Sequence, residues 1–102
     1  MQKEDILNYL LEIKNILREK GIEKIGLFGS FAKDKANALS DIDIAIQLQQ
    51  NYLEKNDVWN YFTLLETIQT MLFKKFSRKV DIFDLDSKND IEKQISKEII
   101  YV

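Results

Sequence analysis

The stretch that decides the fold spans residues 25–46 and reads IGLFGSFAKDKANALSDIDIAI. Its first apolar run ends at the pair Gly29-Ser30, and its second begins with Asp41 and Asp43, which are separated by one residue. Both runs have the length and apolar composition of buried strands. Because side chains alternate along a strand, the two aspartates would point to the same face. The stretch therefore predicts two strands joined by a short helix and a loop, with a carboxylate pair on the second strand.

Apolar periodicity and turn residues predict the elements on either side of this stretch. Apolar residues recur at three- and four-residue steps before Gly21, which would end that first helix because it adopts positive φ at little cost. The predicted elements are helix 4–20, strand 22–28, helix 31–36 with Ser30 as its N-cap, loop 37–40, strand 41–48, loop 49–56, helix 57–76, strand 79–85 and helix 89–99. This alternation indicates an α/β (α+β) fold in one domain over residues 1–102, with about three strands flanked by about four helices.

The composition fits a soluble globular domain and excludes several kinds of chemistry. Of the 102 residues, 45% are hydrophobic and 31% are charged, and the formal net charge of −2 creates no basic field that would attract nucleic acid. The absence of Cys and His excludes disulfides, thiol catalysis, histidine acid–base catalysis and a Cys/His zinc site. The N-terminal residues lack the apolar core of a signal peptide, and no apolar run approaches the ~20 residues of a membrane span, so we expect a cytoplasmic location.

The residues of the central stretch suit a divalent metal beside a phosphate chain. Two close carboxylates repel each other, and a divalent cation between them removes that conflict. With oxygen ligands alone, the expected ion is Mg²⁺ or Mn²⁺. Gly29 would let a phosphate approach the backbone, while the Ser30 hydroxyl, the N–H groups of the next helix and Lys33 could donate to it. This arrangement can bind a nucleoside triphosphate and stabilise phosphoryl transfer.

The third predicted strand offers a third carboxylate. Asp81 lies between apolar neighbours within that strand, whereas Asp84 alternates to the opposite face. We therefore expect Asp81 to join Asp41 and Asp43. Each feature alone is common and usually structural, since an Asp-x-Asp often marks a solvated strand end and a Gly-Ser pair a turn. Their combination in this order is far more specific.

With these residues the chain resembles the minimal nucleotidyltransferases of the DNA-polymerase-beta-like superfamily. Their signature is a Gly-Ser pair at a strand end, an Asp-x-Asp on the next strand and a third Asp on a later strand. The matching residues here are Gly29-Ser30, Ser40-Asp41-Ile42-Asp43 and Asp81. The resemblance covers nearly the whole chain and implies the nucleotidyltransferase fold, in which a small mixed sheet is flanked by helices.

The resemblance also implies a reaction and its site. An acceptor hydroxyl would attack the α-phosphate of a nucleotide, with release of pyrophosphate and with Asp81 able to accept the proton of the acceptor. Two Mg²⁺ ions, or Mn²⁺, would assist. The implied residues are Asp41, Asp43 and Asp81 as catalytic residues and metal ligands, and Gly29, Ser30, Lys33 and Ser40 at the nucleotide.

Two hypotheses follow for the biological role. The chain has no room for an acceptor-binding domain, so a partner protein is expected to supply the acceptor. Small members of the family resemble antitoxins that transfer AMP from ATP to a tyrosine of an all-helical HEPN-domain toxin, and this is the preferred function. The family usually has Arg-Gly where this chain has Lys33-Asp34, which removes a bidentate donor and adds a negative charge. The alternative is therefore a weak or inactive nucleotidyltransferase fold that neutralises a toxin by binding.

Other interpretations fit the sequence less well. A Mg²⁺ hydrolase of the haloacid-dehalogenase type would end its first strand in a nucleophilic Asp, and here that strand ends in Gly29-Ser30. A basic cluster within residues 74–79 is interpreted as solvated charge at a helix end. Trp59, Phe62 and Phe73 lie to one side of the long helix, where core packing is preferred over a partner surface. The sequence leaves a homo-oligomer open.

Overall fold

The chain folds into a mixed four-stranded sheet with helices packed against it, in a computed structural model that describes residues 1–87 and 98–102. The elements are α1 (Lys3–Glu19), β1 (Ile22–Phe28), α2 (Gly29–Ala32), β2 (Ile42–Leu48), α3 (Tyr52–Lys55), α4 (Val58–Phe76), β3 (Val80–Asp84) and β4 (Ile100–Tyr101). The strand order is β3-β2-β1-β4. β1 runs antiparallel to β2 and β4, whereas β2 and β3 are parallel. This mixed sheet with flanking helices confirms the predicted fold class.

The long helices α1 and α4 lie where apolar periodicity predicts them, and local signals set their ends. Before α1, the Gln2 backbone N–H donates to the Asp5 carboxylate at 2.7 Å. The Asp57 carboxylate accepts from the Asn60 backbone N–H at 2.8 Å and caps the start of α4. The first contact satisfies the N–H group of the residue before α1. The second satisfies an N–H group that the first turn of α4 would otherwise leave unpaired.

The main core lies between one face of the sheet and the helices α1 and α4. Ile42, Ile44 and Ile46 of β2 are completely buried on that face. The helical residues in the same cluster are Ile6, Leu10, Ile13, Leu17, Leu64, Ile68 and Leu72. Burying a large apolar side chain stabilises a fold by roughly 1.5–3 kcal/mol, so this cluster is a major source of stability. Asp43 and Ala45 alternate to the other face, where Ala45 packs with Phe28 and Leu85 in a second, smaller apolar cluster.

The short helix α2 starts earlier than predicted. It begins at Gly29, directly after β1, and Phe28 is its N-cap residue. Ser30 therefore lies inside the first turn, and its prediction as the N-cap is wrong. The helix also ends at Ala32, four residues before the predicted end. The turn at Gly29 lets α2 follow β1 directly, whereas the sequence interpretation placed Ser30 between the strand and the helix.

A helical turn lies inside the predicted loop 49–56. This turn, α3, is only four residues long, so its sequence carries too little periodicity to separate it from a loop. It is attached to the fold by Tyr52, whose side chain is almost completely buried. A tertiary contact, and not local propensity, therefore stabilises this element.

The C-terminal strand β4 is a second element that the sequence does not predict. It pairs with Gly26 and Leu27 of β1. A Cβ atom on Gly26 would lie 2.6 Å from Ile99 Cγ2 and 2.8 Å from the Ile100 carbonyl oxygen, so the pairing needs a glycine at this position. Of the predicted last helix 89–99, residues 89–97 lie outside the described residues, and Ile99 is not helical.

The strands β2 and β3 each begin one residue later than predicted, so Asp41 immediately precedes β2. Within residues 1–87 and 98–102, no helix combines the length and the apolar character needed to cross a bilayer.

Candidate active site

Gly29 brings the turn after β1 into contact with Asp43. The preceding residue, Phe28, pairs with Asp43 in the antiparallel ladder. Gly29 has φ +77°, a conformation that favours glycine, and a Cβ atom there would collide with Oδ2 of Asp43. The Gly-Ser turn and the carboxylate are therefore adjacent, and any larger residue at position 29 would displace the carboxylate.

The parallel pairing of β2 and β3 brings the remaining acidic residues together. Asp81 is the register partner of Asp43. Asp41 precedes β2, where the Ile42 backbone N–H donates to the Lys79 carbonyl oxygen at 2.9 Å. The structure therefore places all three predicted carboxylates at one end of the sheet, beside the start of α2.

Asp84 lies elsewhere, as the alternation of the strand predicts. Its Oδ2 accepts a hydrogen bond of 2.8 Å from the Tyr61 hydroxyl of α4. Burial and this hydrogen bond raise the pKa of Tyr61 well above its usual value. Asp84 therefore has a structural partner on the long helix and is not a member of the carboxylate group.

The surroundings of Asp43 disfavour its ionisation. Burial raises the pKa of the Asp43 carboxyl, and the negative charges of Asp81 and then Asp41 raise it further. Each of these effects disfavours the ionised form of Asp43. A nearby positive charge would reverse the effect of the neighbouring carboxylates.

A cationic side chain already contacts two of these carboxylates. Lys79 Nζ lies 4.0 Å from Oδ2 of Asp41 and 3.8 Å from Oδ1 of Asp81. The lysine side chain is 72% exposed, so these ion pairs are weak and a more strongly bound cation can displace the ammonium group. The positions of Asp41 and Asp81 thus allow one cation to contact both.

The donor set fits Mg²⁺ or Mn²⁺ in its chemistry, since it consists of carboxylates without His or Cys. As their side chains are placed, no three potential ligands in the described part of the chain converge on one point. A bound ion would therefore have to draw Asp41, Asp43 and Asp81 closer together.

The predicted nucleotide-binding residues take different positions. Gly29 and Ser30 form the start of α2, next to Asp43. Lys33 Nζ lies 3.1 Å from a carboxylate oxygen of Glu98, and the Ser40 hydroxyl accepts from the Asn37 backbone N–H at 2.9 Å. The structure thus brings Gly29 and Ser30 to the carboxylates and engages the other two side chains in local contacts.

Residue 34 has the backbone conformation that the family's glycine would favour. Asp34 has φ +59°, and its carboxylate lies 3.1 Å from Lys3 Nζ on α1. The negative charge that this chain places in the loop is therefore partly compensated by α1.

The basic cluster 74–79 contains two residues that belong to this site. Lys79 contacts the carboxylates, and Arg78 donates to backbone carbonyls of the loop before Asp41. The interpretation as solvated charge therefore holds for Lys79, which is 72% exposed, and is wrong for Arg78, which is engaged by backbone carbonyls. The sequence signal available was their position immediately before the strand that carries Asp81.

The site is an open surface and not a closed pocket. Asp41 and Asp81 side chains are each 41% exposed. A cavity of about 530 Å³ lies at the opposite end of β2 and β3, where Leu48, Tyr52 and Asp84 contribute to its lining. The Asp41 and Asp81 carboxylates are therefore accessible from solvent.

The strand–turn–helix with its adjacent carboxylates defines the class of protein. The chain belongs to the family described as Polymerase beta, Nucleotidyltransferase, which it matches over residues 11–102. It is therefore a nucleotidyltransferase, as the signature residues predict.

The chain is similar to one curated relative and to two solved structures over most of its length. The chain is 31% identical, over 101 residues, to the protein adenylyltransferase MntA of Thermococcus cleftensis, with 97% of this chain and 94% of that protein covered. A solved structure provisionally assigned as a minimal nucleotidyltransferase shares the fold with a TM-score of 0.72, at 19% identity, and covers 98% of this chain and 95% of that one. A toxin–antitoxin crystal structure with AMP-PNP gives a TM-score of 0.54 at 27% identity, covering 78% of this chain and 60% of that one.

Proposed function

We propose that this chain transfers AMP from ATP to a hydroxyl group of a partner protein, and that residues 1–102 act as one domain in doing so. The observation that carries the proposal is the juxtaposition of Asp41, Asp43 and Asp81 beside the turn at Gly29. The relationship to an archaeal protein adenylyltransferase along nearly the whole chain supports the choice of AMP and of a protein acceptor.

The three carboxylates would hold Mg²⁺, or Mn²⁺, in the active protein. When bound, two such ions would polarise the α-phosphate and neutralise the charge of the pyrophosphate. Asp43 would then be ionised, because a bound cation counteracts the repulsion from Asp81 and Asp41 that now raises its pKa.

The residues around the turn would bind the triphosphate. Gly29 leaves room for a phosphate oxygen near the backbone, and the Ser30 hydroxyl and the first N–H groups of α2 would donate to it. Lys33 and Ser40 would add contacts after leaving Glu98 and Asn37. Charge-assisted donors of this kind stabilise the transferred group and its leaving group.

The transfer itself exchanges one bond at phosphorus. The acceptor oxygen forms a bond to the α-phosphorus, the bond from that phosphorus to the bridging oxygen breaks, and pyrophosphate leaves. The acceptor proton passes to a base, and the candidate is Asp81, which the family resemblance implies in this role and whose side chain is partly exposed. A tyrosine hydroxyl on the partner is the acceptor that we propose.

The proposed partner is an all-helical HEPN-domain toxin, so the chain would act as an antitoxin. The likeness to a toxin–antitoxin structure with AMP-PNP supports this role. The exposed aromatic residues of α4 also support it, since Trp59 is 79%, Phe62 56% and Phe73 57% exposed. Their preferred interpretation as core residues is therefore wrong, and their exposure suits a docking surface.

The test is transfer of label from α-labelled ATP to a co-expressed HEPN-domain partner in the presence of Mg²⁺. The wild type should label the partner, and an Asp41→Asn, Asp43→Asn double variant should not. An Asp86→Asn variant is the control, because within the described region this exposed carboxylate lies away from the site and accepts a side-chain hydrogen bond from Gln47 at 3.5 Å. Equal labelling by the wild type and the double variant would refute the proposal.

A second candidate function is neutralisation of the toxin by contact alone. The observation in its favour is that Lys33 and Asp34 are already engaged by Glu98 and Lys3. It predicts that the Asp41→Asn, Asp43→Asn variant still binds the toxin and protects cells from it. Loss of protection in that variant, with binding retained, would favour the enzymatic role.

A further inference from the structure

We propose that Arg78 is a positioning residue that holds the loop 37–40 against the sheet and thereby sets Asp41 for metal binding. The proposal rests on the function proposed above, in which Asp41 is a metal ligand. It assigns a role to a residue that lies outside the signature motifs of the chain.

Within the described residues, Arg78 makes hydrogen bonds to this loop and a ring contact to α2. Its Nη1 lies 3.2 Å from the carbonyl oxygen of Asn37, 3.3 Å from that of Ala38 and 3.0 Å from that of Ser40. The guanidinium carbon lies 5.3 Å from the centre of the Phe31 ring, within the range of a cation–π contact. One side chain therefore connects the segment before β3 to both the loop and α2.

The other hydrogen bonds of the loop, within the described ranges, are internal. The Leu39 N–H donates to Oδ1 of Asn37, and the Asn37 and Ser40 N–H groups bond within the same turn. The Leu39 side chain is 91% exposed, so it does not anchor the loop by apolar packing. These bonds shape the turn but do not attach it to the sheet, which leaves the attachment to Arg78.

Asp41 lies between two residues that are hydrogen-bonded to the consecutive residues Arg78 and Lys79. On one side, the Ser40 carbonyl accepts from Arg78, and on the other, the Ile42 N–H donates to the Lys79 carbonyl. Removing the arginine side chain would remove the hydrogen bond to the Ser40 carbonyl and leave Asp41 anchored only on its β2 side. Asp43 and Asp81 would remain fixed by strand pairing, so Asp41 alone would lose its position.

A lysine at position 78 would restore only part of this arrangement. Its shorter reach and compact ammonium group can donate to a carbonyl, but it lacks the planar guanidinium that contacts the Phe31 ring. Arg78→Lys should therefore behave between the wild type and Arg78→Ala.

The experiment measures the loop and the metal separately. Hydrogen exchange reports on the amides of Leu39, Ser40 and Ile42, and titration with Mn²⁺ alone reports on the carboxylates. In Arg78→Ala these amides should exchange faster, and Mn²⁺ should bind about tenfold more weakly, as is typical when the support of a metal ligand is removed. Arg18→Ala is the matched control, since its guanidinium contacts Glu23 at 3.7 Å on the surface, and it should change neither readout.

Three different results would each contradict a different step of the proposal. Unchanged exchange in Arg78→Ala and Arg78→Lys would show that the arginine does not hold the loop. Faster exchange with unchanged Mn²⁺ affinity would show that the loop does not position Asp41. A wild type that neither binds Mn²⁺ nor transfers AMP would instead overturn the proposed function. If Arg78→Ala proves unfolded by circular dichroism, the Arg78→Lys variant is compared with the wild type instead. Its affinity for Mn²⁺ is expected to fall severalfold.

Discussion

The contact between Gly29 and Asp43 gives a quantitative prediction about the centre of the site. In Gly29→Ala, the new methyl group would collide with Oδ2 of Asp43 and would lie 3.0 Å from its carboxyl carbon. The same residue would also have to adopt φ +77°. The substitution therefore has a conformational cost, which depends on residue 29 alone, and a steric cost, which depends on Asp43.

The two costs can be estimated separately. A non-glycine residue in this backbone region costs about 1–2 kcal/mol. Displacing a packed neighbour adds about 1–3 kcal/mol, as in other overpacked sites. Gly29→Ala should therefore lower the free energy of unfolding by about 2–5 kcal/mol. In an Asp43→Ala background most of the steric cost should disappear, because the colliding carboxylate is gone and the remaining side-chain atom, Cβ, lies 3.2 Å away.

Urea unfolding measures the cost of Gly29→Ala in the two backgrounds. The four proteins compared, at equal temperature and without metal, are the wild type, Gly29→Ala, Asp43→Ala and the double variant. The expected coupling free energy between positions 29 and 43 is about 1–2 kcal/mol, within the range found for residues in contact. The same destabilisation by Gly29→Ala in both backgrounds would refute the steric argument. The Gly29→Ala protein should also lose AMP transfer, because the Asp43 carboxylate would be displaced from its position in the site.

Three further predictions follow from the described contacts. Because burial, Asp81 and Asp41 raise the pKa of Asp43 in the folded state, the folded protein binds this proton more tightly than the unfolded chain does. The contribution of Asp43 to stability should thus be greatest below its unfolded pKa and should fall as the pH rises through the folded pKa. The difference in free energy of unfolding between the wild type and Asp43→Asn, measured without metal from pH 3 upward, should show this fall. A difference that stays constant with pH would contradict it. Trp59→Glu should weaken binding of the toxin at least about tenfold, as for an aromatic anchor, while circular dichroism and the melting temperature stay unchanged; loss of the fold would instead support core packing. Tyr61→Phe should lower the free energy of unfolding by about 0.5–1.5 kcal/mol in urea, because it removes the hydrogen bond to Asp84, and no loss would show that water replaces this bond without cost.

Local patterns were sufficient for the elements that have their own periodicity. The apolar steps of α1 and α4 and the alternation in β2 are properties of consecutive residues, so these elements lie close to their predicted bounds. The position of Gly29-Ser30 at the end of a strand follows in the same way. The alternation of β3 also separates Asp81 from Asp84, although their functional roles stay predictions.

The exposed side of α4 shows a limit of such patterns. An apolar residue on a second face of a helix can contact either a core or a partner, and periodicity is the same in both cases. Trp59 and Phe73 are exposed because the sheet is covered by one face of α4, through residues such as Ile68 and Leu72. Only the packing of the helix against the sheet decides between these alternatives.

The sequence alone thus determined the class of protein, through the order and spacing of Gly29-Ser30, Asp41, Asp43 and Asp81. It could not determine what holds these residues in place. β4 depends on the fit of the C-terminal residues against Gly26, which lies about 75 positions earlier in the chain. The contacts of Arg78 depend on backbone carbonyls about forty residues before it, and every residue carries such a carbonyl whatever its side chain. A basic cluster therefore looks the same in sequence whether it is solvated or supports a site, and the tertiary structure distinguishes the two because it brings the acceptors to the guanidinium.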